Sequence, residues 1–247
     1  MAVAALPDGW PGMSIAHAIA AIAASDSPLN LGDGVVYGVP MKIYVDAPPT
    51  IRDILLLGEM QFGHRDYLVY EDERVTYAAL VRAVEHFAKI LTEQFGVKKG
   101  DRIAVIMRNY PQWPIPFYAA LSIGAIATPM NSWWTADELE YGLSDSGAKV
   151  AVIDPQILDR LSGHIDRLND LETVIIARAD DRPLSGKIHS MEALIGPANS
   201  WSDLPKIGLP QVDLGPDDDA TIMYTSGTTG RPKGALATHR AIISNML

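Results

Sequence analysis

The chain has 247 residues, 30 acidic against 20 basic for a net charge of −10, with 48% hydrophobic residues and no cysteine. That length can bury a sizeable core and that composition lies far from the disordered class, while the acidic balance excludes a broad nucleic-acid surface and leaves room only for local anion sites. The absence of cysteine excludes disulfides, thiolate nucleophiles and thiolate-bound zinc, and is compatible with the reducing cytoplasm expected as its location.

Residues 1–49 are rich in Gly, Pro and Ala, with turn signals at Pro28, Gly32 to Gly34, Gly38 and the Pro48-Pro49 pair, and read as an extension laid on a domain. Ser14 to Ala24 is apolar, but no lysine or arginine precedes it, and Pro7, Asp8 and His17 disagree with an export signal. A short packed helix is expected there instead. No apolar run reaches the ~18 residues of a membrane span, so no transmembrane segment is expected.

From Thr50 the pattern becomes regular. Thr50 caps a helix expected through Leu57, and Tyr67 to Tyr70 is a short strand-type run. Thr76 caps a long helix whose Leu80, Val84, Phe87, Ala88, Leu91 and Phe95 recur at three and four, with Gly96 as its stop. Strand runs follow at Ile103 to Met107, Ala125 to Thr128, Val150 to Ile153 and Val174 to Ala177, separated by helix-compatible segments. Thr135 and Glu138 form a capping box before Leu139 and Leu143, and Gly147 ends that helix. The alternation predicts an α/β fold with a mainly parallel sheet flanked by helices. Between Ala179 and Gly215 the residues predict loops around a short helix at Met191 to Ile195.

Thr221 to Gly234, TIMYTSGTTGRPKG, carries the chemistry. A strand leads into Thr225, Ser226, Gly227, Thr228, Thr229 and Gly230, and Lys233 stands at the exit. Glycine allows successive backbone N–H groups to point at one anion, the hydroxyls add movable donors, and Lys233 adds a full charge. Pro232 removes a donor and restricts the exit. The arrangement suits a polyphosphate. A Walker-type loop fails on spacing, because the second glycine falls on Pro232 and Lys233 precedes Gly234.

The run YTSGTTGRPKG resembles the phosphate-loop signature of the class I adenylate-forming enzymes, which include acyl-CoA synthetases. VTYAAL, GDRIAVIMRN and the text from Ala120 to Asp154 are similar to that family's first subdomain. The resemblance implies ATP-dependent activation of a carboxylic acid, a fatty acid by expectation, to an acyl adenylate and then an acyl-CoA thioester. ATP, Mg²⁺ and CoA would take part. It also implies phosphate contacts from Thr225, Ser226, Gly227, Thr228, Thr229, Gly230 and Lys233, with Lys233 as the catalytic residue. Residues 50–247 then correspond to the first part of the large adenylation domain, stopping after the loop and before the family's adenine, ribose and magnesium segments, so that this stretch alone is expected to be inactive. Alternatives are an adenylation domain or acyl-AMP ligase feeding a carrier protein, or a non-catalytic phosphate-binding module.

Other features receive structural readings. The six histidines show no metal-ligand spacing, and no metal ligand is assigned; His239, after the loop, is expected to cap or pack. Asp217 to Asp219 are expected to form a solvated turn, and Trp113, Tyr118, Trp133 and Trp134 to pack in the core rather than line an acyl tunnel.

Overall fold

The computed structural model describes residues 14–17, 29–180, 182–225 and 230–247. The chain forms two compact units, one of Pro49–Ala241 and the other of Met1–Pro48 with Ile242–Leu247.

In the larger unit, α1 (Ile51–Phe62) begins at a capping box in which Thr50 and Asp53 exchange side-chain to backbone hydrogen bonds. It outruns the expected end at Leu57, because Gly58 serves packing: a Cβ there would meet the Tyr77 ring at 3.2 Å. β3 (Asp66–Tyr70) and β4 (Glu73–Thr76) form a separate antiparallel hairpin turning at Glu71, φ +51°. Thr76 then caps α2 (Tyr77–Glu93), whose Leu80, Val84, Phe87, Ala88 and Leu91 are fully buried.

Five further elements build the centre: β5 (Arg102–Ile106), α3 (Pro114–Ser122), β6 (Ile126–Pro129), α4 (Ala136–Ser146) and β7 (Ala148–Ile153). They continue into α5 (Pro155–Leu161), a 3-10 turn at Ile165–Arg167, β8 (Thr173–Ile176), β9 (Ile188–Ser190), α6 (Met191–Ile195) and a 3-10 turn at Ala198–Asp203. β10 (Asp219–Thr225) and β11 (Lys233–Thr238) follow, and α7 (His239–Met246) comes last. Among the described residues seven strands join in the order β11-β10-β6-β5-β7-β8-β9. Every pair is parallel except β10 with β11, so the expected mainly parallel sheet is present.

The central strands are apolar on both faces, as a sheet covered on both sides requires. Ala104, Ile106, Ala151, Ile153, Val174 and Ile176 pack with Leu139 and Leu143 of α4 and Ile157 and Leu161 of α5. Alternation sends Ile103, Val105, Val150, Val152 and Ile175, equally buried, to the opposite face. The α4 C-terminus is closed by Gly147 in the left-handed region, φ +59°, and by Arg102, whose guanidinium donates to the Ser146 and Gly147 carbonyls at 2.7 and 2.5 Å. A cation at the negative end of a helix is stabilising.

In the smaller unit, β1 (Leu31–Val36) and β2 (Val39–Tyr44) pair antiparallel around Tyr37 and Gly38, with φ of +48° and +79°. These strands were not expected, since glycine is depleted in strands; here Gly34 leaves room for Ile43, whose Cδ1 would lie 2.6 Å from an added Cβ. Residues 15–17 are helical, His17 N–H donating to Ser14 Oγ at 3.2 Å. The rest of the helix expected to Ala24 lies outside the described residues.

Candidate active site at the phosphate loop

β10 and β11 bring the ends of the loop together. Thr225 stands opposite Lys233 and Tyr224 opposite Gly234. Ser226, Gly227, Thr228 and Thr229 lie outside the described residues, while Thr225, Gly230 and Lys233 lie inside them. Gly230 has φ +88°, a conformation that favours glycine. Gly234 is required by close approach: a Cβ would meet Ile222 Cγ2 at 2.8 Å and the Tyr224 ring at 3.4 Å. Lys233 is exposed and has no carboxylate partner among the described residues.

β10 runs parallel to β6, so the loop opens at the C-terminal edge of the sheet, where ligands of open α/β sheets bind. A cleft of about 320 Å³ lies there between Asn131, Trp134 and Glu138 on one side and Tyr224, Gly230 and Arg231 on the other. Two lining rings, Trp134 and Tyr224, meet edge to face at 5.7 Å. Glu138 is the carboxylate of this cleft, and it already accepts from Thr135 N–H and Oγ1 at 2.8 and 2.9 Å. A Mg²⁺ accompanying a polyphosphate here would find in Glu138 a carboxylate already engaged by its own helix cap, and would take its remaining ligands from phosphate and water.

Both arms of the loop touch α4. The Tyr224 hydroxyl donates to Asp145 Oδ2 at 2.7 Å, and the Tyr141 hydroxyl donates to the Pro232 carbonyl at 3.2 Å. The Arg231 guanidinium stands over the Tyr141 ring at 5.3 Å. Burial, reinforced by Asp145, pushes the Tyr224 hydroxyl well above its ordinary pKa, so it stays a donor. Sequence reading missed these groups because each partner lies on another element.

The acidic run does lie at a turn, with Asp219 exposed, but Asp217 and Asp218 are paired rather than simply solvated. Asp217 forms a two-pronged ion pair with Arg240 at 2.6 and 3.0 Å, and Asp218 accepts from Lys99 Nζ and Gly215 N–H, both at 2.7 Å. The Arg240 hydrogen bond holds the Asp217 carboxyl below its ordinary pKa. His239 packs as expected. It is fully buried, and its Nδ1 accepts the Ile51 N–H at 3.2 Å, where α1 begins.

Trp113 stacks on Phe117 at 5.2 Å and the Tyr118 hydroxyl meets that of Tyr67 at 3.0 Å, around an aromatic cavity of about 260 Å³. Trp133 departs from the core expectation, being exposed beneath the Arg108 guanidinium at 4.3 Å. A polar cavity of about 980 Å³ opens beyond β5, β7 and β8. Its Arg178 has φ +57°, bonds Glu73 and Gln112, and lies over the Tyr70 and Tyr110 rings, so it braces the β3–β4 hairpin. Asp137, Glu140 and His164 bring ligand atoms within 4.8 Å of one another, a grouping that histidine spacing did not reveal. Arg167 enters the same cluster, 2.9 Å from Glu140 and 2.6 Å from His164 Nδ1, so an arginine already supplies the cation there.

Residues 59–247 match the family model described as AMP-binding enzyme. The chain is 34% identical over 176 residues to the long-chain-fatty-acid–CoA ligase FadD13 of Mycobacterium tuberculosis, covering 70% of this chain and 31% of that protein. It is 29% identical over 226 residues to an Escherichia coli long-chain-fatty-acid–CoA ligase, covering 84% of this chain and 40% of that one. Thus it spans at most about two fifths of these curated relatives. Among solved structures, the inhibitor-bound N-terminal domain of FACL13 from Mycobacterium tuberculosis superposes with a TM-score of 0.62 at 30% identity, over 78% of this chain and 45% of that one.

Proposed function

The chain belongs to the AMP-binding enzyme family, and from that premise we propose that the whole protein joins a carboxylic acid to CoA at the expense of ATP. A carboxylate oxygen attacks the α-phosphorus, pyrophosphate leaves, and the CoA thiol then displaces AMP from the acyl adenylate. The loop residues Thr225, Ser226, Gly227, Thr228, Thr229 and Gly230 would donate to the phosphates. Lys233 would meet the charge that builds on the departing pyrophosphate, where a fixed cation stabilises the transition state more than the ground state. Mg²⁺ would supply further charge neutralisation on the same oxygens.

The observation that carries this reading is the exposed ammonium of Lys233, which has no carboxylate partner among the described residues and directly follows Gly230, Arg231 and Pro232 of the cleft lining. Fatty acids are the proposed substrate class, supported by the names of the relatives. Residues 1–247 alone are proposed to perform no ligation, since phosphate contacts from one loop do not hold a carboxylate in line with the α-phosphorus. The test is ATP–pyrophosphate exchange by the full-length protein across fatty, aryl and short-chain acids. Exchange highest with long-chain fatty acids is expected, and none with any acid would defeat the reading.

A further inference from the structure

We propose that Tyr141 and Asp145 of α4 are positioning residues that hold the two arms of the phosphate loop and so set Lys233. This rests on the role just given to that lysine. The residues stand four apart on one helix, hence on one face, and each holds a different arm. Asp145 takes the entry arm through the Tyr224 hydroxyl at 2.7 Å, with the Gly142 carbonyl a second acceptor at 3.3 Å. Tyr141 takes the exit arm. Pro232 has no N–H, so its carbonyl is its only backbone hydrogen-bonding group, and the Tyr141 hydroxyl donates to it at 3.2 Å. The face of the same ring carries Arg231. Two residues in succession are therefore fixed by one side chain immediately before Lys233.

The two holds also meet at the one Tyr141 hydroxyl proton, for which the Pro232 carbonyl and Asp145 are both acceptors. Tyr141 Oη lies 3.3 Å from Asp145 Oδ1, while Oδ2 of that carboxylate receives Tyr224. The helix that carries them is itself fixed at both ends, by the Thr135–Glu138 capping box and by Gly147 with Arg102, and along its length by buried Leu139 and Leu143. A charged group is placed most accurately when its supports stand on such an element rather than on its own loop.

The experiment uses Tyr141→Phe, which keeps the ring under Arg231 and removes the hydroxyl, together with Asp145→Ala and Asp145→Asn. In the full-length protein, single-turnover adenylation should slow about tenfold for Tyr141→Phe and Asp145→Ala, the scale of one lost hydrogen bond. Thioester formation from supplied acyl adenylate should be unchanged, and Asp145→Asn, which retains an acceptor for Tyr224, should recover most of the rate. Introduced into Lys233→Ala, Tyr141→Phe should cost nothing more, because it acts through that lysine. Equal loss in both half-reactions, or the full tenfold loss in the Lys233→Ala background, would overturn the proposal. Amide hydrogen exchange at Arg231, Lys233 and Gly234 of the 247-residue chain needs no substrate: faster exchange in Tyr141→Phe supports the hold, and unchanged exchange overturns it. A full-length protein without pyrophosphate exchange would therefore sink the functional reading while leaving the hold decided on its own.

Discussion

His239 joins the start of α7 to the start of α1, 188 residues away, through one ring nitrogen that must be unprotonated to accept the Ile51 N–H. Burial lowers its pKa from the ordinary 6.5, and the opposing influence of Asp218 and Asp53 is smaller. The folded state therefore binds protons less readily than the unfolded chain. This stabilising contribution is fully present above about pH 6.5 and is lost as pH falls below that value toward the depressed folded pKa. Thermal melts should show stability declining from pH 7.5 to 5.5, and His239→Asn, whose amide oxygen can accept the same N–H without titrating, should flatten that decline. An equally steep decline in the variant would assign the pH dependence elsewhere. Lys233 acts on a different quantity. Lys233→Ala should lower the adenylation rate of the full-length protein about 10²-fold or more, as for one transition-state donor, and leave thioester formation from acyl adenylate nearly intact. Single-turnover assays of the two half-reactions separate these outcomes.

At the level of elements, α4 depends on its cap. Thr135→Ala removes the acceptor for the Glu138 N–H and the partner of the Glu138 carboxylate, and should cost about 1 kcal/mol in urea denaturation. That cap, those of α1 and α2, and the central parallel strands were legible in the sequence because each signal lies within a few consecutive residues. β4 and β9 were not. Glu73–Thr76 is short, mixed in polarity and runs directly into a helix cap, and Ile188–Ser190 has only three residues, so neither offers a pattern without its pairing partner. The helix from Thr50 was expected to end at Leu57, because the contact that Gly58 makes with Tyr77 cannot be inferred locally. The site divides in the same way: the loop and Lys233 are contiguous and readable, whereas Tyr141 meets Pro232 across 91 residues and Tyr224 meets Asp145 across 79. Lys99 likewise reaches Asp218 across 119, which is why the acidic run looked solvated.

For the molecule as a whole, Ile243 apart, every buried hydrophobic residue among those described lies within Pro49–Ala241. Residues 50–247 should therefore fold without residues 1–49 and melt in a single transition by circular dichroism; a loss of cooperativity would show that the first 49 residues contribute to the core. β11 pairs with β10 alone among the described strands, and Leu236 on it and Met223 beside it are 55% and 44% exposed. An unpaired strand edge with apolar side chains is a template for a second chain. Lys233 is the only charge on that strand, so the residue proposed to face pyrophosphate is also the one expected to oppose pairing of like strands. Concentrated solutions of this chain should drift toward higher scattering mass. Lys233→Ala should hasten that drift and Leu236→Lys should halt it, in which case one ammonium group would guard the strand edge and serve the chemistry at once.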